Sequence, residues 1–271
     1  MKRKIWLIVA MILSLNSCLK DNHMEWYPKM ETNRIPLVFQ HMVNGKQLKL
    51  DTLLYTTSIG NHYLVNDLQY FISNVKFHET EGKWNAVGSK SNVHYIDARI
   101  DSTQIWEIDI PVLTGRIDSL LFTFGLDADD NYSFRFNDPP ERDMFWPEVL
   151  GGGYHFMKMN LKWKNNNMNE NLPFMFHLGT GQMYAGNSSN PDSIIGFIQN
   201  SFIVKIPLTE EIGKDTPPDS WKITMSIENW FDGANLFDFS EYPMGIMQNQ
   251  EGMFKAINNG KLAFKAKQIL N

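Results

Sequence analysis

Two histidines stand in segments whose composition suits a soft metal ion. His155 lies in Gly153-Tyr-His-Phe-Met-Lys158 and His177 in Phe176-His-Leu-Gly179. Both segments read as strands, joined through the asparagine-rich turn Asn165–Asn171, which makes them antiparallel neighbours. On such a pair two imidazoles can face one side and share a metal. Imidazole nitrogen suits copper or zinc, and Met144, Met157 or Met175 could add a thioether for copper(I). Strand alternation puts His155 on one face with Met157 and Met159, and Tyr154 and Phe156 on the other. The competing reading of each histidine is a hydrogen-bonded core or surface residue. Ahead of His155 runs a proline-dense aromatic loop from Asn137, containing Asp143, Trp146 and Glu148 and ending in Gly151–Gly153. Loops of this kind on a sheet scaffold carry function. The triple glycine lets the backbone approach something closely, or simply turn sharply.

Cys18 carries a different chemistry. Lys2, Arg3 and Lys4 precede an apolar run from Ile5 to Leu15, too short for the roughly 20 residues that span a bilayer but fit for a secretion signal. Leu15-Asn16-Ser17-Cys18 then has the form of a bacterial lipobox, whose thiol takes a diacylglycerol and becomes the new N-terminus. Several acyl chains anchor a protein stably where one does not. The expectation is a signal over residues 1–17, a lipidated Cys18, a tether over 18–34 and one folded domain over 35–271. Cys18 is the only cysteine of the chain. Its use for the anchor excludes disulfides, thiolate metal sites and cysteine catalysis from the mature domain. The net charge of −5 and the dispersed basic residues leave no nucleic-acid footprint.

Weaker constellations remain. Asp127-Ala-Asp-Asp-Asn131 is oxygen-rich but lacks the EF-hand glycine and closing glutamate, so an acidic turn facing water is expected there rather than calcium. Asp143 and Glu148 flank Trp146 as paired carboxylates flank a glycosidase subsite, with a separation the sequence does not give. His41, His62, His78 and His94 have no partner at ligand spacing, and no nucleophile-elbow sequence supports a serine hydrolase.

The elements that must position these residues are mainly strands. Short runs rich in Val, Ile, Phe, Tyr and Thr alternate with Asn, Gly and Asp turns, without a regular strand–helix repeat. Strands are expected at Leu37–Val43, Gln47–Leu54, Tyr70–Phe77, His94–Ile96, Arg116–Phe124, Tyr154–Trp163, Phe174–Leu178, Ser201–Ile206 and Trp221–Ile227. Asn44-Gly45 closes the first hairpin. Helix is expected for one turn at Asn66–Tyr70 and at Asn249–Asn258, with Asn259-Gly260 as its C-cap. The fold class is therefore all-β, an antiparallel β-sandwich of about nine or ten strands with long loops and one or two short helices.

Several segments in this order resemble a known family: Val43-Asn-Gly-Lys-Gln-Leu-Lys-Leu-Asp-Thr52, Leu68-Gln-Tyr-Phe-Ile-Ser-Asn-Val75, Phe124-Gly-Leu-Asp127, Met144-Phe-Trp-Pro-Glu148, Gly153-Tyr-His-Phe-Met-Lys158 and Phe176-His-Leu-Gly179. Together they are similar to the MbnP-like domain, named for a periplasmic copper-binding protein, with lipoprotein members of the Bacteroidetes type. The resemblance covers roughly residues 35–265. It implies an extracytoplasmic β-rich domain and, in copper-binding members, copper held by histidine, with a tryptophan oxidised to kynurenine by a partner di-haem peroxidase. His177 matches the family's His-Leu-Gly motif, His155 a position that many lipoprotein members fill with histidine, and Trp146 the tryptophan-containing loop. The chain departs from the family in lacking cysteines in the mature domain and in having Ser73 where copper-binding members tend to have histidine. The resulting expectation is a non-catalytic, copper-binding lipoprotein held at the membrane, periplasmic or at the cell surface, with the outer membrane expected. Its metal residues would be His155, His177 and Trp146. The alternative is a metal-free surface lipoprotein that keeps the fold for interaction or structure.

Overall fold

The computed structural model describes residues 32–52, 55–80, 82–89, 91–111, 116–164, 170–186, 190–212, 219–242 and 244–269. Cys18 and the signal segment lie outside the described residues. In chain order the strands are β1 (Thr32–Val43), β2 (Lys46–Gln47), β3 (Tyr55–Thr56), β4 (His62–Glu79), β5 (Lys83–Ala86), β6 (Val93–Asp97), β7 (Ile105–Pro111) and β8 (Ile117–Phe124). They continue with β9 (Met157–Lys164), β10 (Leu172–Leu178), β11 (Gly181–Tyr184), β12 (Ile194–Ile198), β13 (Phe202–Ile212), β14 (Ser220–Ser226) and β15 (Phe264–Ile269). One helix, α1 (Gln250–Gly260), precedes β15.

Among the described residues two sheets dominate. One runs β15-β14-β1-β2 with β7 also on β1; the other runs β10-β9-β4-β8-β13 with β3, β5 and β6 paired to β4. Inward side chains interlock the two: Phe77 on Trp221 with ring centroids 4.1 Å apart, Phe122 on Phe264 at 5.2 Å, and His41 donating or accepting at Tyr70 Oη over 3.0 Å. Aromatic packing thus supplies the cross-sheet contacts that a thiol-free domain cannot obtain from disulfides.

The sequence reading holds for the sandwich class and for its best-marked turns. Asn44 and Gly45 both adopt positive φ, 48° and 74°, and Val43 pairs with Lys46 across them. β9 and β10 pair antiparallel on either side of the asparagine-rich segment, from Trp163↔Leu172 to Met157↔Leu178. Several details differ: fifteen strands form among the described residues where about nine or ten were expected, and the strand expected over Gln47–Leu54 is only the two-residue β2. β1 pairs β14 in parallel, Leu37 opposite Trp221, because alternation in one strand says nothing about the direction of a partner near the other end of the chain. β1 begins at Thr32, where it pairs β7 at Pro111, so the strand extends into the segment read as tether. Asn66–Tyr70 forms no helical turn but lies inside β4, where pairing on both edges outweighs local preference. Helix α1 does form, capped by Asn249 accepting from the Gly252 amide at 2.8 Å. Its Gly260 is not the cap. A Cβ there would lie 2.4 Å from Cζ3 of Trp230, so the glycine serves close packing.

The eight-stranded sheet has a second face. On β10, Phe176 packs inward on Phe231 and Phe237, which turns His177 outward. On β4, Tyr70 points to the core and Phe71 outward, where Phe136 stacks on it at 5.4 Å. The connection 125–156 between β8 and β9 lies over this outer face. Gly125 N donates to Phe71 O, Phe71 N to Phe156 O, and Phe156 N to Leu178 O, at 2.7–3.0 Å.

Candidate metal centre

That connection brings Trp146 and His155 together through a short antiparallel bridge between Phe145 and Tyr154. Trp146 N donates to Gly153 O at 2.8 Å, and His155 N to Met144 O at 2.6 Å. The turn linking the two sides is Gly151–Gly153, with φ of 112°, 65° and 78°. Both roles considered for the triple glycine apply, since Cβ atoms there would also strike Thr180, Glu148 and Asn131 within 2.7 Å. Trp146 is fully buried, donates its indole N–H to Leu150 O at 3.1 Å, and lies across Gly179. A Cβ on Gly179 would sit 2.4 Å from its Cε3, which explains the glycine of His-Leu-Gly.

Three rings then stack edge to face. Trp146 meets His155 at 4.6 Å and 72°, and His155 meets His177 at 5.1 Å and 83°. The two histidines are 7% and 6% exposed. His155 Nδ1 lies 3.0 Å from Met144 O; a carbonyl only accepts, so Nδ1 carries the proton and Nε2 the lone pair. His177 Nε2 lies 2.9 Å from Asn160 Oδ1, and its Nδ1 is buried with no hydrogen-bond partner. Burial lowers the His155 pKa to about 4 and the His177 pKa to about 3. The neighbouring His155 and the Lys158 ammonium depress His177 further. Both rings are neutral at neutral pH, the form that ligates metal. An orphaned buried nitrogen on one ring and a bare Nε2 on the other fit a metal as donors.

The structure corrects the face assigned to His155. It precedes β9 rather than lying on it, so strand alternation does not apply to it. His177 pairs in register with Lys158, whereas Met157 and Met159 are fully buried on the core side. Met157 is therefore no neighbour of the pair by strand phase, while Met175 shares the face of His177. Asn160, the partner of His177, was not singled out by sequence. Its signal was its place opposite Met175 on the outward phase of β9.

The model of the MbnP family matches residues 32–248. The chain belongs to the MbnP family. The structure of MbnP from Methylosinus trichosporium is similar to it with a TM-score of 0.50 and 14% identity, over 76% of this chain and 80% of that one. That likeness bears on the fold alone. No curated protein matches the chain. In this MbnP family member His155 is adjacent to His177 and to Trp146, and the other four described histidines fall elsewhere. Ser73 is buried and donates to Gly125 O at 2.8 Å.

The other constellations close on themselves. Asp127 accepts from the amides of Asp129 and Asp130 and from Asn74 Nδ2, and Asp130 pairs with Arg135. The carboxylates of Asp127 and Asp130 are thus tied to protein donors, while Ala128 and Asp129 are exposed to water. Asp143 is exposed and paired with Arg142 at 3.3 Å; neither it nor Glu148 lines a described cavity. His94 is stacked 5.0 Å from Trp106 with Nε2 on Thr103 O, and His41 is bonded to Tyr70 inside the core. Among the described residues no three His, Cys, Asp or Glu side chains gather as a metal cluster.

Proposed function

We propose that this chain is a membrane-anchored, extracytoplasmic lipoprotein that binds copper through His155 and His177 beside Trp146. The observation that carries the reading is the His177 ring, buried 5.1 Å from His155 with an unpartnered Nδ1. A polar atom left unpaired in a buried site costs free energy unless something fills it. The donor set favours copper(I) over zinc. Structural zinc takes four protein ligands and catalytic zinc three, whereas copper(I) accepts two imidazoles with or without a thioether, for which Met175 is placed on the same strand face. Copper would supply the redox or cargo chemistry. The protein holds both rings neutral and fixed, keeps water from them, and acts as a binder without turnover.

Lipidation of Cys18 would place the domain at a membrane, the outer membrane by our reading, in the periplasm or at the cell surface. By the same family reading a di-haem peroxidase would be its partner, and Trp146, against His155, the tryptophan it oxidises. Two measurements test the reading. Copper(I) titration of the purified mature protein should give one equivalent, lost in His155→Ala/His177→Ala with an unchanged circular dichroism spectrum. Equal uptake by both proteins, or none by the native one, removes the metal. Cys18→Ser should release the protein from the membrane fraction, and a native membrane-bound product without acyl mass on its first residue would refute the anchor. An intact mass lacking the tryptophan-to-kynurenine increase in native material would remove the peroxidase step only.

A further inference from the structure

The usefulness of His177 as a ligand depends on which nitrogen holds its proton, and that is decided away from the ring. Nε2 faces the side-chain amide of Asn160, which could present either its oxygen or its NH2. The far end of that amide faces Asp67, whose Oδ2 lies 3.2 Å from Nδ2. A carboxylate only accepts. The NH2 must therefore turn to Asp67, the oxygen to His177, and the proton of His177 to Nε2, which leaves Nδ1 bare.

The backbone makes this contact by an irregularity. β4 pairs β9 as Val65↔Leu161 and then Asp67↔Asn160, so Asn66 is an extra residue, a β-bulge. In regular register Asn66 would oppose Asn160, and two amides facing each other fix no orientation. Arg99 holds the bulge in place. Its guanidinium donates to Asp67 Oδ1 at 3.0 Å and, at 2.6 Å each, to Asp51 Oδ2 and the carbonyl of the bulged Asn66. Asn66 Nδ2 in turn donates to Asp51 Oδ1 at 2.9 Å. These residues line a cavity of about 370 Å³ to which Asn160, and not His177, contributes.

We infer that Asp67 and Asn160 are positioning residues that set the tautomer of His177, with Arg99 clamping the bulge that brings them into line. The use of the bare Nδ1 rests on the copper reading; the tautomer does not. Partners of this kind, orienting a histidine ligand from behind, typically change metal affinity 10–100-fold when removed.

The test begins with the metal-free, ¹⁵N-labelled protein. Two-bond ¹H–¹⁵N spectra should show His177, assigned with His177→Gln, protonated on Nε2 with Nδ1 of the bare, pyridine-like type. Asp67→Asn and Asn160→Leu should shift it to a mixture or to the Nδ1–H form. Copper(I) affinity should fall about 10–100-fold in these two variants. An Nδ1–H form in the native protein overturns the inference, as does a native tautomer that survives both Asp67→Asn and Asn160→Leu. If the variants do not fold, the native spectrum still decides. If the tautomer is as stated but the native protein takes up no copper, the copper reading fails and the relay stands.

Discussion

Acidification from pH 7 to pH 5 should destabilise the metal-free domain chiefly through three buried histidines, with a contribution of the same sign from His94, whose burial also lowers its pKa. Burial lowers His41 and His155 to about 4 and His177 to about 3, against an ordinary 6.5. The unfolded chain therefore binds protons on these rings before the folded one does. Stability is fully present above about pH 6.5 and is lost as pH falls toward those folded values. At pH 5 each unfolded ring is almost wholly protonated while each folded ring is mostly neutral, a preference of about 30-fold or roughly 2 kcal/mol per ring. Three rings together reach about 6 kcal/mol, comparable with the roughly 5–15 kcal/mol that holds a domain folded.

The window isolates the histidines. Asp51, Asp118 and Asp238 have carboxyls held below their usual 3.8, so their contribution is lost only at still lower pH. Urea unfolding followed by tryptophan fluorescence should show the midpoint falling by about 2 M between pH 7 and pH 5, taking a slope near 3 kcal/mol/M. His41→Gln keeps a polar group for Tyr70 Oη and removes one titration, so it should lessen the loss by about a third. Equal midpoints at the two pH values would refute the reasoning. So would an undiminished loss in His41→Gln.

Two further substitutions probe the packing behind the site. Gly179→Ala places a methyl 2.4 Å from Cε3 of a fully buried Trp146, and should cost about 1–3 kcal/mol in urea unfolding and displace the indole; an unchanged midpoint would show that the ring can move aside. Asn259→Leu removes hydrogen bonds to Trp230 O, Asn235 O and Asn235 N at 2.8–2.9 Å and should lower stability by about 2–4 kcal/mol, checked by thermal unfolding.

What was legible in the sequence was what local chemistry dictates. Asn44-Gly45 specifies a turn by its own backbone preferences, and the asparagine-rich segment between β9 and β10 separates two runs that can only fold back. The helix from Gln250 was legible by a pattern that fits no strand, although the C-cap read at Asn259-Gly260 lies within its last turn. The histidine pair was legible because β9 and β10 were, even though the phase given to His155 was wrong. The parallel β1–β14 pairing, β7 and β15 were not, since each depends on a partner remote in the chain. Asp67 and Asn160 were invisible for a related reason: their contact exists only in a shifted register, and no pattern within β4 shows that Asn66 is the extra residue.

Three departures from regular backbone meet at the histidine pair, and each changes where a side chain points. The left-handed run Gly151–Gly153 folds the loop so that Trp146 lies across from His155. The start of β9 at Met157 leaves His155 outside the ladder, free to face outward with His177, when continued alternation would have sent it to the core side with Met157 and Met159. The Asn66 bulge puts a carboxylate, and not an amide, behind Asn160. A regular sheet with the same residues would bury one histidine among methionines and leave the other with either tautomer. Bulges and strained turns are retained where they re-aim functional side chains. Local consistency is expected to fail at such places and to hold in the scaffold around them. On this ground the failure of strand alternation at His155 is evidence for the site: the chain departs from its simplest pattern where two neutral imidazoles are brought ring to ring.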